Sequence, residues 1–195
     1  MRFLNPGSVN TAAWLVFLAY WIVSSFAAKR IAQREDRGGV AARVITLFVA
    51  WILFVKAGDP RLGVLSKPFI PWIPWLAWLA DAITVAGIAF AIWARIHIGK
   101  FWGASVALKS EHKLIRSGPY ARIRHPIYTG IIFALLGTAL VIGRYAALLA
   151  FAIYFAGFCF KARKEEALLA GQFGPAFEEH RRGTGFLLPK LFSAH

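Results

Sequence analysis

Long uncharged apolar runs constrain this chain more than any other feature. Residues 11–28 contain no charged side chain and include Trp14 and Trp21. A helix of that length can cross the hydrocarbon core of a bilayer. With 195 residues, 58% of them hydrophobic, and a mean hydropathy of +0.57, the chain is too apolar for an ordinary soluble domain. The sequence therefore predicts an integral membrane protein with several spans.

Four more apolar stretches follow the first, at residues 44–55, 72–94, 126–143 and 145–160. The second stretch is short and reaches full length only if Arg43 and Lys56 extend toward opposite interfaces. Only Gly143 and Arg144 separate the last two, which predicts a tight antiparallel hairpin. Because spans without barrel alternation must be helical, the predicted fold is all-α. It has about five transmembrane helices and a cytoplasmic C-terminal helix over residues 161–182.

The basic residues fall into three groups, which follow the first, third and fifth apolar stretches and hold most of the 23 Lys and Arg side chains. Positive loops are retained on the cytoplasmic side of a membrane. The grouping predicts an N-terminus outside, a C-terminus in the cytoplasm and, for a bacterial chain, a place in the inner membrane. This topology explains the net charge of +14, so no nucleic acid is predicted as a partner.

One acidic residue, Asp81, interrupts the third apolar stretch. An ionisable group inside a membrane span is functional by default. The neighbouring tryptophans Trp72, Trp75 and Trp78 are typical of an interfacial belt, however, and fit a carboxylate at the interface equally well. The sequence leaves both interpretations open.

Glycines indicate close helix contacts and helix ends. Gly130 and Gly137 offer small surfaces on which a neighbouring helix can approach closely. The polar helix after the fifth stretch is expected to be broken or capped near Gly171 and at Gly174-Pro175.

The segment 118–130 sets polar and aromatic side chains directly against an apolar run. Pro126 is suited to start a helix, because its missing N–H would be unpaired there in any case. His125 would then lie at the N-terminal boundary of that helix. The helix dipole, together with Arg122 and Arg124, favours an anionic group nearby. The same arginines would equally anchor a loop to anionic lipid headgroups.

Several common site patterns are missing from the sequence. His112 and His125 have no partners at zinc-like spacing, so no metal site is predicted. There is no glycine-rich dinucleotide loop after a strand, no P-loop and no Gly-x-Ser-x-Gly motif. The single cysteine, Cys159, excludes an intrachain disulfide.

Five short motifs follow one another in the second half of the chain. They are His112-Lys113-Leu114-Ile115, Gly118-Pro119-Tyr120, Arg124-His125-Pro126-Ile127-Tyr128-Thr129-Gly130, Glu165-Glu166 and Phe173-Gly174. Their order and spacing resemble those of the isoprenylcysteine carboxyl methyltransferase family and its bacterial relatives. The resemblance covers roughly residues 94–189. The length and apolar composition predict one membrane domain over residues 1–195, and the resemblance implies a methyltransferase-like cofactor-binding region at 94–189.

The resemblance implies an enzyme that uses S-adenosyl-L-methionine. The implied cofactor-binding residues are His112, Lys113, Leu114, Ile115, Tyr120, His125, Pro126, Ile127, Tyr128 and Glu165. The family usually has an arginine four residues before the first acid of the Glu-Glu pair, implicated in substrate binding, and Lys161 stands there in this chain. Lysine keeps the positive charge but lacks the planar fork of arginine, so either Lys161 or, in its place, Arg163 is expected to orient the carboxylate of the substrate.

The implied methyl acceptor is a hydrophobic or lipid-linked molecule, most simply an isoprenylcysteine-like carboxylate, and membrane lipids are further partners. A carboxylate is already ionised at neutral pH, so no general base is predicted. A phospholipid amine or a thiol is an alternative acceptor that would need deprotonation. Two other classes stay open. One is a membrane reductase that uses a nicotinamide dinucleotide, and the other is a noncatalytic lipid-binding protein.

Overall fold

The computed structural model describes residues 5–26, 37–99 and 114–190, and most of these residues are helical. The helices are α1 (Pro6–Ser25), α2 (Arg37–Val55), α3 (Pro74–Ile98), α4 (Pro126–Ile142), α5 (Tyr145–Phe173) and α6 (Pro175–Gly183). Two 3-10 turns cover Pro60–Ser66 and Gly118–Ala121. No strand forms within these three ranges, and the predicted all-α class is confirmed.

Three helices, α1, α3 and α5, are long and apolar enough to cross a membrane. Helix α4 and the Val44–Val55 part of α2 are apolar but shorter. Large apolar side chains of α1 and α2, among them Ile22, Val23 and Ile45, are exposed. Exposed apolar side chains on helices of this length are expected to face lipid. The chain is an integral membrane protein, and the number of five spans stays a prediction.

Most helix ends lie close to the predicted ones, with three differences. Helix α2 begins at Arg37, seven residues before the apolar stretch predicted at 44–55. Helix α1 begins earlier than expected because Asn5 and Ser8 form a capping box, in which each side chain accepts a hydrogen bond from the other residue's backbone N–H. Helix α5 runs without a break through Gly171, so the predicted interruption there is wrong. The break at Gly174-Pro175 is confirmed, since Gly174 has a φ of 49° and ends α5.

Helices α4 and α5 form the predicted tight hairpin. Gly143 closes α4 in the left-handed region, with φ 67° and ψ 21°, and Arg144 is the N-cap of α5. Glycine adopts this conformation without the steric cost that other residues meet. The link of two residues between these helices is therefore confirmed.

The closest helix packing joins α3 to α4 along a row of small residues. A Cβ atom added to Gly130 would lie 2.5 Å from the carbonyl oxygen of Gly87 and 2.6 Å from the backbone nitrogen of Ala91. A Cβ atom on Gly137 would likewise lie 2.5 Å from the carbonyl oxygen of Ala80. The two backbones touch directly at these points, which confirms the predicted role of Gly130 and Gly137.

Asp81 belongs to a buried polar cluster that joins α1 to the α3–α4 pair. Its side chain is only 2% exposed, and its Oδ1 atom accepts a hydrogen bond of 3.2 Å from Asn10 Nδ2. The same amide nitrogen lies 3.0 Å from Thr84 Oγ1, and Thr138 Oγ1 donates to Asn10 Oδ1 at 3.3 Å. Trp14 Nε1 completes the cluster by donating to Thr138 Oγ1 at 2.9 Å. Asp81 thus faces the protein interior, and neither lipid nor water.

We expect Gly130→Ala to lower the melting temperature in detergent, because the added methyl group would collide with the α3 backbone. Overpacking of this kind costs about 1–3 kcal/mol. Gly171→Ala is the matched control, since nothing lies within 4 Å of a Cβ atom at this exposed helical glycine. The control should be neutral or stabilising, because alanine favours a helix by about 1 kcal/mol over glycine. Equal melting temperatures of the two variants would contradict the packing described for α3 and α4.

Candidate active site

Several of the predicted site residues meet where α4 begins. Pro126 occupies the first turn of α4 and His125 is the N-cap before it, so the predicted boundary is confirmed. The preceding 3-10 turn starts at Gly118, whose φ of 57° suits glycine. Tyr120 follows in that turn, and both Tyr120 and His125 are 7% exposed. The two side chains are therefore inside the protein at this end of α4.

Tyr128 connects α4 to α5. Its hydroxyl donates a hydrogen bond of 2.5 Å to Glu165 Oε1. Its ring stacks on the His125 ring, with centroids 5.5 Å apart and planes 5° apart, and it also contacts Phe158 at 5.2 Å. Residues three apart on a helix share a face, which brings His125 and Tyr128 together. The acid on α5 then completes a compact group of three side chains.

The His125 ring lies between the two carboxylates of the Glu165-Glu166 pair. Its Nδ1 atom is 3.8 Å from Glu165 Oε2, and its Nε2 atom is 3.2 Å from Glu166 Oε1. Both acids are partly buried, with side chains 23% and 14% exposed. Carboxylates in such surroundings need hydrogen-bond donors. The imidazole and the Tyr128 hydroxyl supply donors to this pair.

Arg124 holds Glu166 and was not predicted as a site residue. Its Nε atom donates to Glu166 Oε1 at 2.5 Å. The sequence indicated an anionic group near Arg124, and Glu166 of the same chain provides one. The adjacent acids Glu165-Glu166 were the available signal. Which of the two meets the arginine depends on how α5 packs against the start of α4.

Lys161 reaches the same group of side chains, whereas Arg163 does not. The Lys161 Nζ atom is 4.0 Å from Glu165 Oε1 and 5.2 Å from the centroid of the Tyr128 ring. Lys161 and Glu165 are four residues apart and lie on one face of α5. Arg163 is exposed and makes no hydrogen bond or ion pair with the side chains named above.

The segment 184–187 follows α6 and crosses the start of α4. The sequence did not predict that this segment belongs to the site. Backbone hydrogen bonds run from Arg124 N to Gly185 O at 2.9 Å and from His125 N to Phe186 O at 3.3 Å. Thr129 Oγ1 donates to Leu187 O at 2.6 Å. The Phe186 ring meets the His125 ring edge-on, with centroids 5.2 Å apart. Because these bonds are mostly to the backbone, they leave no side-chain pattern that sequence reasoning could find.

The remaining predicted cofactor residues divide into three groups. His112 and Lys113 lie outside the described residues. Pro126, Ile127 and Ile115 surround the site with apolar surface, since Ile127 is buried with Tyr128 and Ile115 packs against the same cluster. Leu114 is half-buried, and no contact ties it to the site.

The Tyr120 hydroxyl lies 3.5 Å from the carbonyl oxygen of Ala94 in a buried position. Burial raises the pKa of Tyr120, and the nearby negative charge of Glu165 raises it further, against a smaller opposing effect of Arg95. The hydroxyl therefore stays protonated. In the structure its hydroxyl donates to the Ala94 carbonyl and its ring packs in the same apolar cluster as Tyr128.

The region that contains Tyr120, His125, Tyr128 and Glu165 matches known proteins. Residues 79–171 match the isoprenylcysteine carboxyl methyltransferase (ICMT) family. Residues 79–171, called the ICMT region below, contain four of the five motifs, and the family resemblance that these four carry is confirmed; Phe173-Gly174 lies just beyond the region. The segment 184–187, which covers His125, lies beyond it.

Individual relatives cover about half of this chain. A protein-S-isoprenylcysteine O-methyltransferase of Schizosaccharomyces pombe is 33% identical over 101 residues, which are 50% of this chain and 43% of that protein. The cobalt-zinc-cadmium resistance protein CzcN of Cupriavidus metallidurans is 32% identical over 97 residues, 48% of this chain and 44% of that protein. The chain thus spans less than half the length of either relative.

The fold is also similar to a solved structure, that of the eukaryotic intramembrane Ras methyltransferase ICMT. The TM-score is 0.56 at 22% identity, and the similarity covers 80% of this chain and 54% of that chain. At this level of identity the likeness concerns the fold. It extends well beyond the ICMT region, so helices outside residues 79–171 share the arrangement as well.

Helix α6 carries a buried histidine next to the site. Burial lowers the pKa of His180, and the positive charges of Arg116 and Arg124 lower it further. The backbone carbonyl of His180 accepts a hydrogen bond of 2.6 Å from Thr184 Oγ1, and the Thr184 carbonyl accepts one of 2.5 Å from Arg124 Nη1. His180 is thus neutral in the folded protein, within the connection that fixes the segment 184–187.

We expect acid to destabilise the protein through His180. The unfolded histidine titrates near its ordinary pKa of 6.5 and the folded one at a lower pH, so between the two values the unfolded chain binds more protons and stability rises with pH. The contribution is complete above the unfolded pKa and is lost as pH falls through the folded pKa. Melting curves between about pH 7.5 and 5 should show a smaller loss for His180→Gln than for the wild type.

The exposed Arg182 on the same helix provides the control for this measurement. Arg182→Gln should keep the pH dependence of the wild type. If His180→Gln also kept it in full, the neutral state of His180 would not contribute to stability.

Proposed function

We propose that this chain is an S-adenosyl-L-methionine-dependent methyltransferase whose acceptor is a hydrophobic or lipid-linked carboxylate of the isoprenylcysteine type. The observation that carries the proposal is the mutual contact of His125, Tyr128 and Glu165 inside the ICMT region. The contact lies at the polar end of the apolar helix α4. A water-soluble methyl donor and a lipid-dissolved acceptor can meet at such a junction.

The side chains at this point fit the proposed cofactor. Glu165 and Glu166 offer carboxylate oxygens that accept hydrogen bonds from hydroxyl and amino groups. The rings of His125 and Tyr128 offer aromatic faces, which attract planar groups and cations. When bound, S-adenosyl-L-methionine supplies a methyl group on a positively charged sulfur. The proposed cofactor set is His112, Lys113, Leu114, Ile115, Tyr120, His125, Pro126, Ile127, Tyr128 and Glu165.

Lys161 is the proposed contact for the acceptor carboxylate, with Arg163 as a second cation on the same helix. The Lys161 ammonium group is near both Glu165 and Tyr128, so a carboxylate attracted to it would lie beside the proposed cofactor site. No proton has to be removed from such an acceptor. The residues then act by alignment and by exclusion of water. Alignment of two reactants near contact lowers a barrier by about 7–11 kcal/mol, and a dry site strengthens their attraction.

We also propose how the chain lies in its membrane. The clusters of basic residues support a cytoplasmic site and C-terminus, an N-terminus outside and, for a bacterial chain, the inner membrane. The cofactor-binding region is proposed to cover residues 94–189 of one membrane domain. Part of this range belongs to the ICMT region, and the segment 184–187 adds backbone contacts to it.

The first test is cofactor binding by calorimetry on protein purified in detergent. We expect Glu165→Gln, His125→Ala and Tyr128→Phe each to raise the dissociation constant of S-adenosyl-L-methionine about tenfold or more, because each removes a charge, a ring or a donor from the site. Glu178→Gln is the matched control. It makes the same change at an exposed acid of α6, and its affinity should equal that of the wild type. Unchanged affinity in all three site variants would reject the proposed cofactor site.

The second test is transfer of a labelled methyl group to an S-prenylated cysteine with a free carboxylate. We expect Lys161→Met to raise the KM for this acceptor about tenfold, because a charged contact is lost. The affinity for S-adenosyl-L-methionine should change much less. Lys164→Met, which removes an exposed cation three residues further along α5, should leave the KM unchanged. A KM unaffected by Lys161→Met would exclude Lys161 as the carboxylate contact.

The same assay separates the alternative acceptors and classes. A carboxylate acceptor should give a rate that is flat between about pH 6 and 8, whereas an amine or thiol acceptor should react faster as pH rises, since it must lose a proton. Cofactor binding without transfer to any acceptor in membrane extracts would favour a noncatalytic protein. Binding of a nicotinamide dinucleotide in place of S-adenosyl-L-methionine would favour a reductase.

A further inference from the structure

A second site lies at the opposite end of α4 from His125. A cavity of about 310 Å³ opens there between the C-terminal end of α4 and the segment that leads into α3. Its walls include Pro71, Trp72, Leu76, Leu140 and Arg144. The size falls in the range of about 300–1,000 Å³ that is usual for small-molecule sites. Helix α4 has 17 residues, so the two ends are about 25 Å apart.

Arg144 is the one charged residue among those that line this cavity. Its guanidinium group donates a hydrogen bond to the Ser66 carbonyl, and it forms no ion pair with a carboxylate of the described residues. A single hydrogen bond leaves most of its five N–H donors for a ligand. A planar guanidinium group binds the oxygens of phosphate or carboxylate through paired hydrogen bonds.

Backbone hydrogen bonds join the two chain segments that meet at Arg144. Phe69 N donates to Gly143 O at 3.0 Å, and Tyr145 N donates to Lys67 O at 3.2 Å. The rings of Phe69 and Tyr145 also contact each other, with centroids 5.9 Å apart. The segment before α3 and the turn before α5 are thereby joined on both sides of Arg144. These contacts fix the relative position of the two backbone segments that carry Pro71 and Arg144 of the cavity wall.

The surroundings are those of a membrane interface. Trp72 and Trp75 stand 65% and 67% exposed beside the cavity, at the end of α3, which is long and apolar enough to span a membrane. Exposed tryptophans at such a position are typical of the boundary between lipid and water. The cavity thus combines apolar walls and one cation at the depth where the headgroup of a lipid meets its acyl chains.

We propose that this cavity binds an anionic phospholipid, whose phosphate meets Arg144 and whose first acyl carbons lie along Trp72 and Leu76. The chemistry of the walls favours an amphiphile over a fully apolar or fully polar ligand, because each part of the site would otherwise be left unmatched. An arginine that only anchors a helix end to the interface needs no cavity beside it. This site is separate from the candidate active site and does not rest on the proposed function.

The test compares three ligands on the purified full chain in detergent: dioctanoyl phosphatidylglycerol, dioctanoylglycerol and inorganic phosphate. These are the whole lipid, its tails without phosphate, and the phosphate alone. We expect phosphatidylglycerol to bind and raise the melting temperature, and the other two to have little effect. Comparable binding of dioctanoylglycerol would reduce the site to an apolar cleft, and comparable binding of phosphate would reduce it to an anion site. Either result would overturn the proposal.

Two variants and one control locate the binding. Arg144→Gln should raise the dissociation constant of phosphatidylglycerol about tenfold, as expected for loss of a charged contact. Leu140→Trp fills the cavity without changing charge and should weaken binding as well, which keeps the test decisive if Arg144→Gln folds poorly. Arg61→Gln removes an exposed arginine from the nearby 3-10 turn and should bind like the wild type. Wild-type affinity in a folded Arg144→Gln or Leu140→Trp protein would overturn the proposal.

Discussion

The direct backbone contact between α3 and α4 fixes the position of both ends of α4. Gly87 and Gly130 face each other at a distance that excludes even a methyl group, so α4 has one position against α3. The N-terminal end of α4 then carries His125 and Tyr128 to α5, and its C-terminal end forms the Arg144 cavity with the start of α3. Inside a membrane, where apolar surface gives little driving force between helices, close packing of small residues provides this association.

The candidate site is organised around one imidazole ring and two acids. Glu165 and Glu166 are adjacent in the chain, yet both approach His125, one at each ring nitrogen. Arg124 and Lys161 add positive charge at the two acids, so the cluster is balanced before any ligand enters. Its partly buried carboxylates and stacked rings still offer acceptors and aromatic faces at the end of an apolar helix. A ligand that brings hydrogen-bond donors and a planar ring would match these groups, and the proposed S-adenosyl-L-methionine is such a molecule.

The local features of the fold were predictable from the sequence because they depend on neighbouring residues. Pro126 was suited to start a helix, the short link Gly143-Arg144 predicted a tight hairpin, and the length and apolarity of the runs required helices. Within the site, the motifs pointed to His125, Tyr128 and Glu165 through a family resemblance. The structure brings these three side chains together. Gly171 shows the limit of such reasoning, since a helix held on both sides by good helix formers tolerates one glycine.

Tertiary structure alone decided the features that join distant parts of the chain. The pairing of Arg124 with Glu166, the crossing of residues 184–187 over His125 and the burial of Asp81 beside Asn10 each link residues more than 40 positions apart. Their hydrogen bonds depend on how helices are placed against one another. Gly130 and Gly137 indicated a close helix contact, but the structure decided that α3 is the helix they meet. The sequence by itself determined the helices, their order and the chemistry available at each end. Which groups meet was decided by packing, because a charge or a donor in an apolar protein is satisfied by whatever partner the packed helices bring within reach.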